Sequence, residues 1–113
     1  MDYIKNEYQV IIDRKNEKAE GSYTAYLFEQ GIDKILKKVG EECTETVIAA
    51  KNNDKKETVY EISDLLYHVL VMMAYQGITP EDIEKELQKR AEKRSNLKTV
   101  SYTHLTLPTT ERV

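Results

Sequence analysis

The sequence predicts an all-α fold, a bundle of four helices, on three observations. Apolar residues recur at helical spacing along most of its 113 residues. No stretch alternates with the period of two that a half-buried strand needs. Helix breakers are scarce, with four glycines and two prolines. A chain of this length is one domain. Such a domain buries roughly 65% of its unfolded surface, so a partner chain covering more apolar area would be useful.

An opening helix over residues 2–14 sets Ile4, Tyr8, Ile11 and Ile12 at i, i+4, i+7 and i+8, one face of a helix. A polar link runs from Lys15 to Ser22. The second helix starts near Thr24 and bends at Gly31. Its longer part, about 32–51, carries Ile32, Ile35, Leu36, Val39, Cys43, Val47 and Ala50 on one stripe, which makes Cys43 a core residue. Asn52-Asn53-Asp54 signals a turn, with Asp54 suited to cap the next helix. That third helix, about 55–76, stops at Gly77, a usual residue just past a helix end. Thr79-Pro80-Glu81-Asp82 then reads as a cap, a proline in the first turn and acids suited to the helix dipole. The fourth helix, about 80–93, has only Ile83, Leu87 and Ala91 on its apolar face and is expected to lie outside. From Ser95 the chain turns threonine-rich and loses the helical stripe. Residues 1–94 are therefore read as the domain and 95–113 as a disordered or appended tail, with no role for His104.

Composition excludes several classes. The 40% hydrophobic share beside 33% charged residues is not that of a disordered chain. No run approaches the ~20 apolar residues that a bilayer span needs. The opening residues, Met1 to Ile11, lack the layout of a secretory signal. A formal charge of −3 argues against non-specific nucleic-acid binding. The single cysteine rules out an internal disulfide framework and fits a reducing cytoplasm, the expected location.

The chemistry lies in two acidic clusters. Glu41-Glu42-Cys43-Thr44-Glu45 sits on the second helix and Glu61-Ile62-Ser63-Asp64 on the third. Residues three apart share a helix face, so Glu42 pairs with Glu45 and Glu61 with Asp64. The pairs 45/61 and 42/64 both centre on Asn53, in the predicted turn. An antiparallel hairpin there sets Glu45 level with Glu61 and Glu42 level with Asp64. No Lys or Arg occurs from Glu57 to Glu84, and Tyr60, Ile62, Leu65, Leu66, Tyr67, Val69, Val71, Met72 and Met73 make the third helix apolar on all sides, the pattern of a buried helix. Buried carboxylates without counter-charge cost several kcal/mol each or take up protons. A divalent cation resolves the conflict, and oxygen-only ligands favour Mg²⁺, or Mn²⁺ in its place, over zinc. Mg²⁺ is commonly completed by substrate phosphates, which points to a polyphosphate substrate.

Plainer readings exist for each residue. Single acids on helices are ordinary, and Lys37–Glu41 and Lys38–Glu42 have the i,i+4 spacing of a solvated face. Lys34, Lys37 and Lys38 lie one to two turns before Glu41, where they either meet phosphate oxygens or remain solvated. His68, one turn past Asp64, either touches substrate, orients a carboxylate or is a satisfied core histidine. Tyr23, Tyr26 and Tyr67 either stack on a base or pack.

Glu-Glu-x-x-Glu followed by Glu-x-x-Asp on the next helix resembles the signature of the MazG-like all-α nucleotide pyrophosphohydrolases. The longer strings Ser22-Tyr23-Thr24-Ala25, Lys37-Lys38-Val39-Gly40-Glu41-Glu42 and Asp64-Leu65-Leu66-Tyr67-His68 resemble the phosphoribosyl-ATP pyrophosphohydrolases, over about Ser22 to Arg94. The resemblance implies a four-helix MazG-like bundle completed by dimerisation. It implies Mg²⁺-dependent hydrolysis of phosphoribosyl-ATP to phosphoribosyl-AMP and pyrophosphate, the second step of histidine biosynthesis, by a cytoplasmic homo-oligomer, most simply a dimer. Glu42, Glu45, Glu61 and Asp64 would then hold metal, Glu41 would accept the water's proton or sit behind the ligands, and Lys34, Lys37, Lys38 and His68 would meet substrate. The chain lacks the Cys and His ligands of a fused cyclohydrolase and looks free-standing. Cys43-Thr44, where relatives often carry small residues, and the stretch from Ser95 depart from the family pattern. Two other functions fit the residues less closely: a housecleaning hydrolase of (deoxy)nucleoside triphosphates, and a non-catalytic helical interaction module.

Overall fold

The computed structural model describes residues 2–17 and 20–100. Those residues form five helices and no strand, in the order α1 Tyr3–Asn16, α2 Tyr23–Gln30, α3 Ile32–Lys51, α4 Lys55–Gln76 and α5 Pro80–Val100. The all-α class holds. The helix expected to bend at Gly31 is two helices. Gly31 takes φ +94° and ψ −174°, a conformation outside helical space that only glycine adopts readily. Its N–H donates the last bond of α2, to the Leu27 carbonyl, and its own carbonyl accepts the first bond of α3, from the Ile35 N–H.

Local signals set the boundaries. Ser22 Oγ accepts from the Ala25 N–H at 3.1 Å, and Asp54 Oδ1 from the Glu57 N–H at 3.0 Å, each a side-chain N-cap. Asn53, at φ +55°, makes the turn between α3 and α4. Gly77, at φ +76°, ends α4, and the Ile78 N–H returns to the Met73 carbonyl at 2.8 Å.

Residues up to Thr79 form one compact unit. Its core joins Ile11 of α1, Leu27 of α2 and Ile35 of α3 to Leu70, Val71, Met73 and Ala74 of α4. Polar ties reinforce the same end. The Tyr8 hydroxyl donates to the Ile78 carbonyl at 2.7 Å, and Lys15 Nζ to the Ala74 carbonyl at 3.0 Å. Ala74 lies in the last turn of α4, where carbonyls lack intrahelical partners.

Two expectations about burial are corrected. The apolar stripe of α3 faces the core only in part: its Ile35 is buried, but so are Glu42 and Ala49 off the stripe, while Leu36, Val47, Ala50 and Cys43 are exposed. Residues seven apart share a face, and the face turned to α4 is the one that carries Glu42. Nor is α4 buried all round. Its second half is enclosed by α1 and α2, but Val59, Tyr60, Ile62 and Leu66 remain exposed. Apolar content marks surface that wants cover, and among the described residues these side chains remain exposed.

The second unit begins at Pro80. Its helix α5 starts with Glu81 and Asp82 in the first turn and carries an Arg90–Glu86 pair at 3.0 Å. Ile83 and Leu87 are about half exposed. The helix continues to Val100, past the end expected near residue 93, so it enters the stretch read as a tail. Residues 101–113, including His104, lie outside the described residues. Among the described residues, no helix is long and apolar enough to cross a membrane.

Candidate metal and phosphate site

The α3–α4 hairpin turns at Asn53 and brings the two acidic motifs face to face. Ligand atoms of Glu42, Glu45 and Glu61 lie within 4.8 Å of one another, and so do those of Glu42, Asp64 and His68. Glu42 belongs to both groups and sits at the centre. A cleft of about 170 Å³ opens on the turn side, lined by Glu45, Ala49, Asp54, Glu57 and Glu61 among others.

Glu42 carries the electrostatic tension of the site. The residue is only 4% exposed, and its Oε1 is shut from solvent with no hydrogen-bond donor. Its carboxyl is pushed up to about 8. The largest cause is the hydrogen bond that a protonated carboxyl makes with Asp64, followed by burial and by Glu45. Three close carboxylates cannot all ionise cheaply, so one keeps its proton. Glu61 is raised as well, first by desolvation and then by Glu45. An orphaned carboxylate oxygen among hard oxygen donors suits a divalent cation such as Mg²⁺ or Mn²⁺, and the residues present fit that group.

His68 is buried, 2% exposed, with both ring nitrogens engaged. Nδ1 lies 2.8 Å from the Asp64 carbonyl, which only accepts, so Nδ1 carries the proton and donates. Nε2 is then the acceptor for the Tyr23 hydroxyl at 3.0 Å. The same Nδ1 is 3.6 Å from Asp64 Oδ1. The nitrogen nearest the carboxylates therefore bears hydrogen and is not a free metal ligand. Tyr67 packs edge-on to the His68 ring, with centroids 4.9 Å apart, and its hydroxyl bonds the Thr24 hydroxyl.

The remaining expected residues lie around this centre. Lys38 Nζ pairs with Glu41 Oε1 at 3.4 Å; burial, the largest single cause, opposes its charge, but Tyr23, Glu41 and Glu42 together outweigh it and raise the amine above the ordinary lysine value. Glu41 is half exposed and in neither ligand group. Lys34 Nζ lies 5.9 Å from the Tyr26 ring centre, and Lys37 is exposed. Sequence reasoning missed Tyr23 as the partner of His68. The available signal was that a buried histidine must satisfy two nitrogens, and that a tyrosine opens the helix packed beside it.

Comparison with known proteins gives the same picture. A family model described as phosphoribosyl-ATP pyrophosphohydrolase matches residues 5–91. The chain is similar to the phosphoribosyl-ATP pyrophosphatase of Clostridium acetobutylicum, with 63% identity over 80% of this chain and 83% of the relative. It is similar to the same-named protein of Streptococcus thermophilus, at 57% over 83% and 90%. The histidine biosynthesis bifunctional protein HisIE of Oceanobacillus iheyensis is 65% identical over 71% of this chain, which corresponds to 37% of that longer protein. With both acidic motifs and the hairpin between them inside the matched span, the chain belongs to the phosphoribosyl-ATP pyrophosphohydrolase family.

Proposed function

We propose that this chain hydrolyses phosphoribosyl-ATP to phosphoribosyl-AMP and pyrophosphate, in histidine biosynthesis. The observation that carries the reading is the family match across the hairpin where Glu42, Glu45, Glu61 and Asp64 converge. These four carboxylates would hold Mg²⁺, with Mn²⁺ as a substitute. A divalent cation bound there supplies charge neutralisation for the phosphates and acidifies water.

The chain's own residues do the rest. Lys38, beside the carboxylates, would meet phosphate oxygens and hold the charge that grows on departing pyrophosphate, with Lys34 and Lys37 adding positive charge along the same helix. Water attacks the α phosphorus in line, its O–P bond forms, and the bridging Pα–O–Pβ bond breaks. Glu41, exposed at the edge and steadied by Lys38, accepts the water's proton. His68 acts through Asp64 and Tyr23 rather than by touching substrate, because its ring is buried and both nitrogens are used. A second copy of the chain covers Val47, Ile48, Val59, Tyr60 and Ile62, an exposed apolar set on the hairpin. A soluble nucleotide substrate implies a cytoplasmic location.

The test is pyrophosphate release from phosphoribosyl-ATP, with Mg²⁺ and with a chelator, beside a panel of nucleoside triphosphates. Fast turnover of phosphoribosyl-ATP that stops in chelator is the expected result. Preference for a nucleoside triphosphate moves the same site to housecleaning, and silence on every substrate overturns the catalytic reading.

A further inference from the structure

A cleft of about 770 Å³ opens beside the carboxylate centre, along the start of α2. Its described lining is Glu20, Gly21, Ser22, Tyr23, Ala25, Tyr26 and Glu29. The two rings are stacked, with centroids 6.2 Å apart and planes 27° from parallel. They are 46% and 43% exposed, so part of each ring faces solvent. Tyr23 is also tethered. Its hydroxyl is fixed on His68 Nε2, and its other neighbour is the Tyr67 ring at 6.2 Å. A ring held at its hydroxyl cannot swing freely, so the shelf is formed before any ligand arrives.

The charges around the shelf say which part of a ligand it takes. The described lining holds two acidic residues and no cation, and Lys34 lies against the Tyr26 ring outside it. A flat group bearing N–H donors is favoured, because its face can stack on tyrosine and its donors can reach Glu20 or Glu29. Tyr23 ties the shelf to the centre: it bonds His68, and His68 bonds the Asp64 backbone.

We infer that Tyr23 and Tyr26 form a stacking shelf for the purine of the substrate, with Tyr26 its principal specificity-determining residue and the carboxylates of Glu20 and Glu29 its polar rim. This role rests on the proposed nucleotide hydrolysis and adds to it the part of the protein that recognises the base.

The experiment compares the wild-type chain with Tyr26→Ala and Tyr26→Phe, using the two reaction products as probes. Phosphoribosyl-AMP carries the purine and pyrophosphate does not. Base–aromatic stacking is of a size that predicts a roughly ten-fold loss on removing a ring. Calorimetry should show phosphoribosyl-AMP binding about ten-fold weaker in Tyr26→Ala, pyrophosphate binding within about two-fold, and recovery in Tyr26→Phe. Turnover of phosphoribosyl-ATP should change in parallel, with KM raised and kcat nearly kept. Equal weakening of both products, failure of phenylalanine to recover binding, or no weakening at all overturns the shelf. Absent wild-type turnover with purine binding still dependent on Tyr26 would remove the reaction and leave the shelf standing. A wild-type chain that binds no purine nucleotide overturns the shelf.

Discussion

The two halves of α4 both carry apolar side chains, more densely in the second, and stand in opposite surroundings. From His68 to Ala74 the helix is enclosed, and Val71 is 0% exposed among Ile11, Leu27 and Ile35. From Val59 to Leu66 the apolar side chains face outward, Val59 being 57% exposed, and the inward positions carry Glu61 and Asp64. The second half is a folding core. The first half keeps its acids toward α3 and its apolar residues uncovered, the arrangement on which the proposed cation site and the proposed contact with a second copy rest. One helix thus carries stability at one end and chemistry at the other, and substitutions should separate the two.

The largest expected effect is chemical. Asp64→Asn should lower turnover of phosphoribosyl-ATP by about 10²-fold or more, with the helical circular dichroism spectrum unchanged; near-normal activity would remove Asp64 from the metal set. At the other end, Leu27→Ala should cost about 2–5 kcal/mol in denaturant unfolding, since Leu27 is fully buried. Val59→Ala should cost less than about 0.5 kcal/mol at concentrations where the chain is monomeric. Equal penalties would erase the contrast between the halves.

Linkage gives a third expectation, in metal-free protein. The folded Glu42 carboxyl is raised to about 8 from an ordinary 4.5. Between these values the folded chain holds a proton that the unfolded chain has released. Stability therefore falls as pH rises through that window, by on the order of a few kcal/mol, and levels off above it. Melting temperatures in chelator should show the decline, and Glu42→Gln should flatten it. A decline of the same slope in Glu42→Gln would assign it to another group. A milder kinetic effect than that of Asp64→Asn is expected of Lys38→Ala, for which KM should rise about ten-fold with kcat less affected. A change confined to thermal stability would make Lys38 a structural residue.

How much of this was legible in the sequence depends on range. The turn at Asn53, the caps at Ser22 and Asp54, the stop at Gly77 and the start at Pro80 are local, written in residues that favour one backbone conformation. The convergence of the acidic motifs was legible too, because two helices joined by a short turn must run antiparallel. The facing of α3 was not legible. Its strongest apolar stripe pointed to Cys43 and Val47 as core, whereas the face turned to α4 carries Glu42, because an apolar stripe does not say which neighbour, if any, covers it. The Tyr23–His68 bond joins residues 45 apart, and no spacing rule within one helix reaches it.

The most direct measurement of the central claim is calorimetric titration of the wild-type chain and of Asp64→Asn with Mn²⁺. Saturable uptake by the wild-type chain, lost or greatly weakened in Asp64→Asn, is the result predicted for a carboxylate centre built to hold a divalent cation. No specific uptake by the wild-type chain, or equal uptake by both, would contradict it.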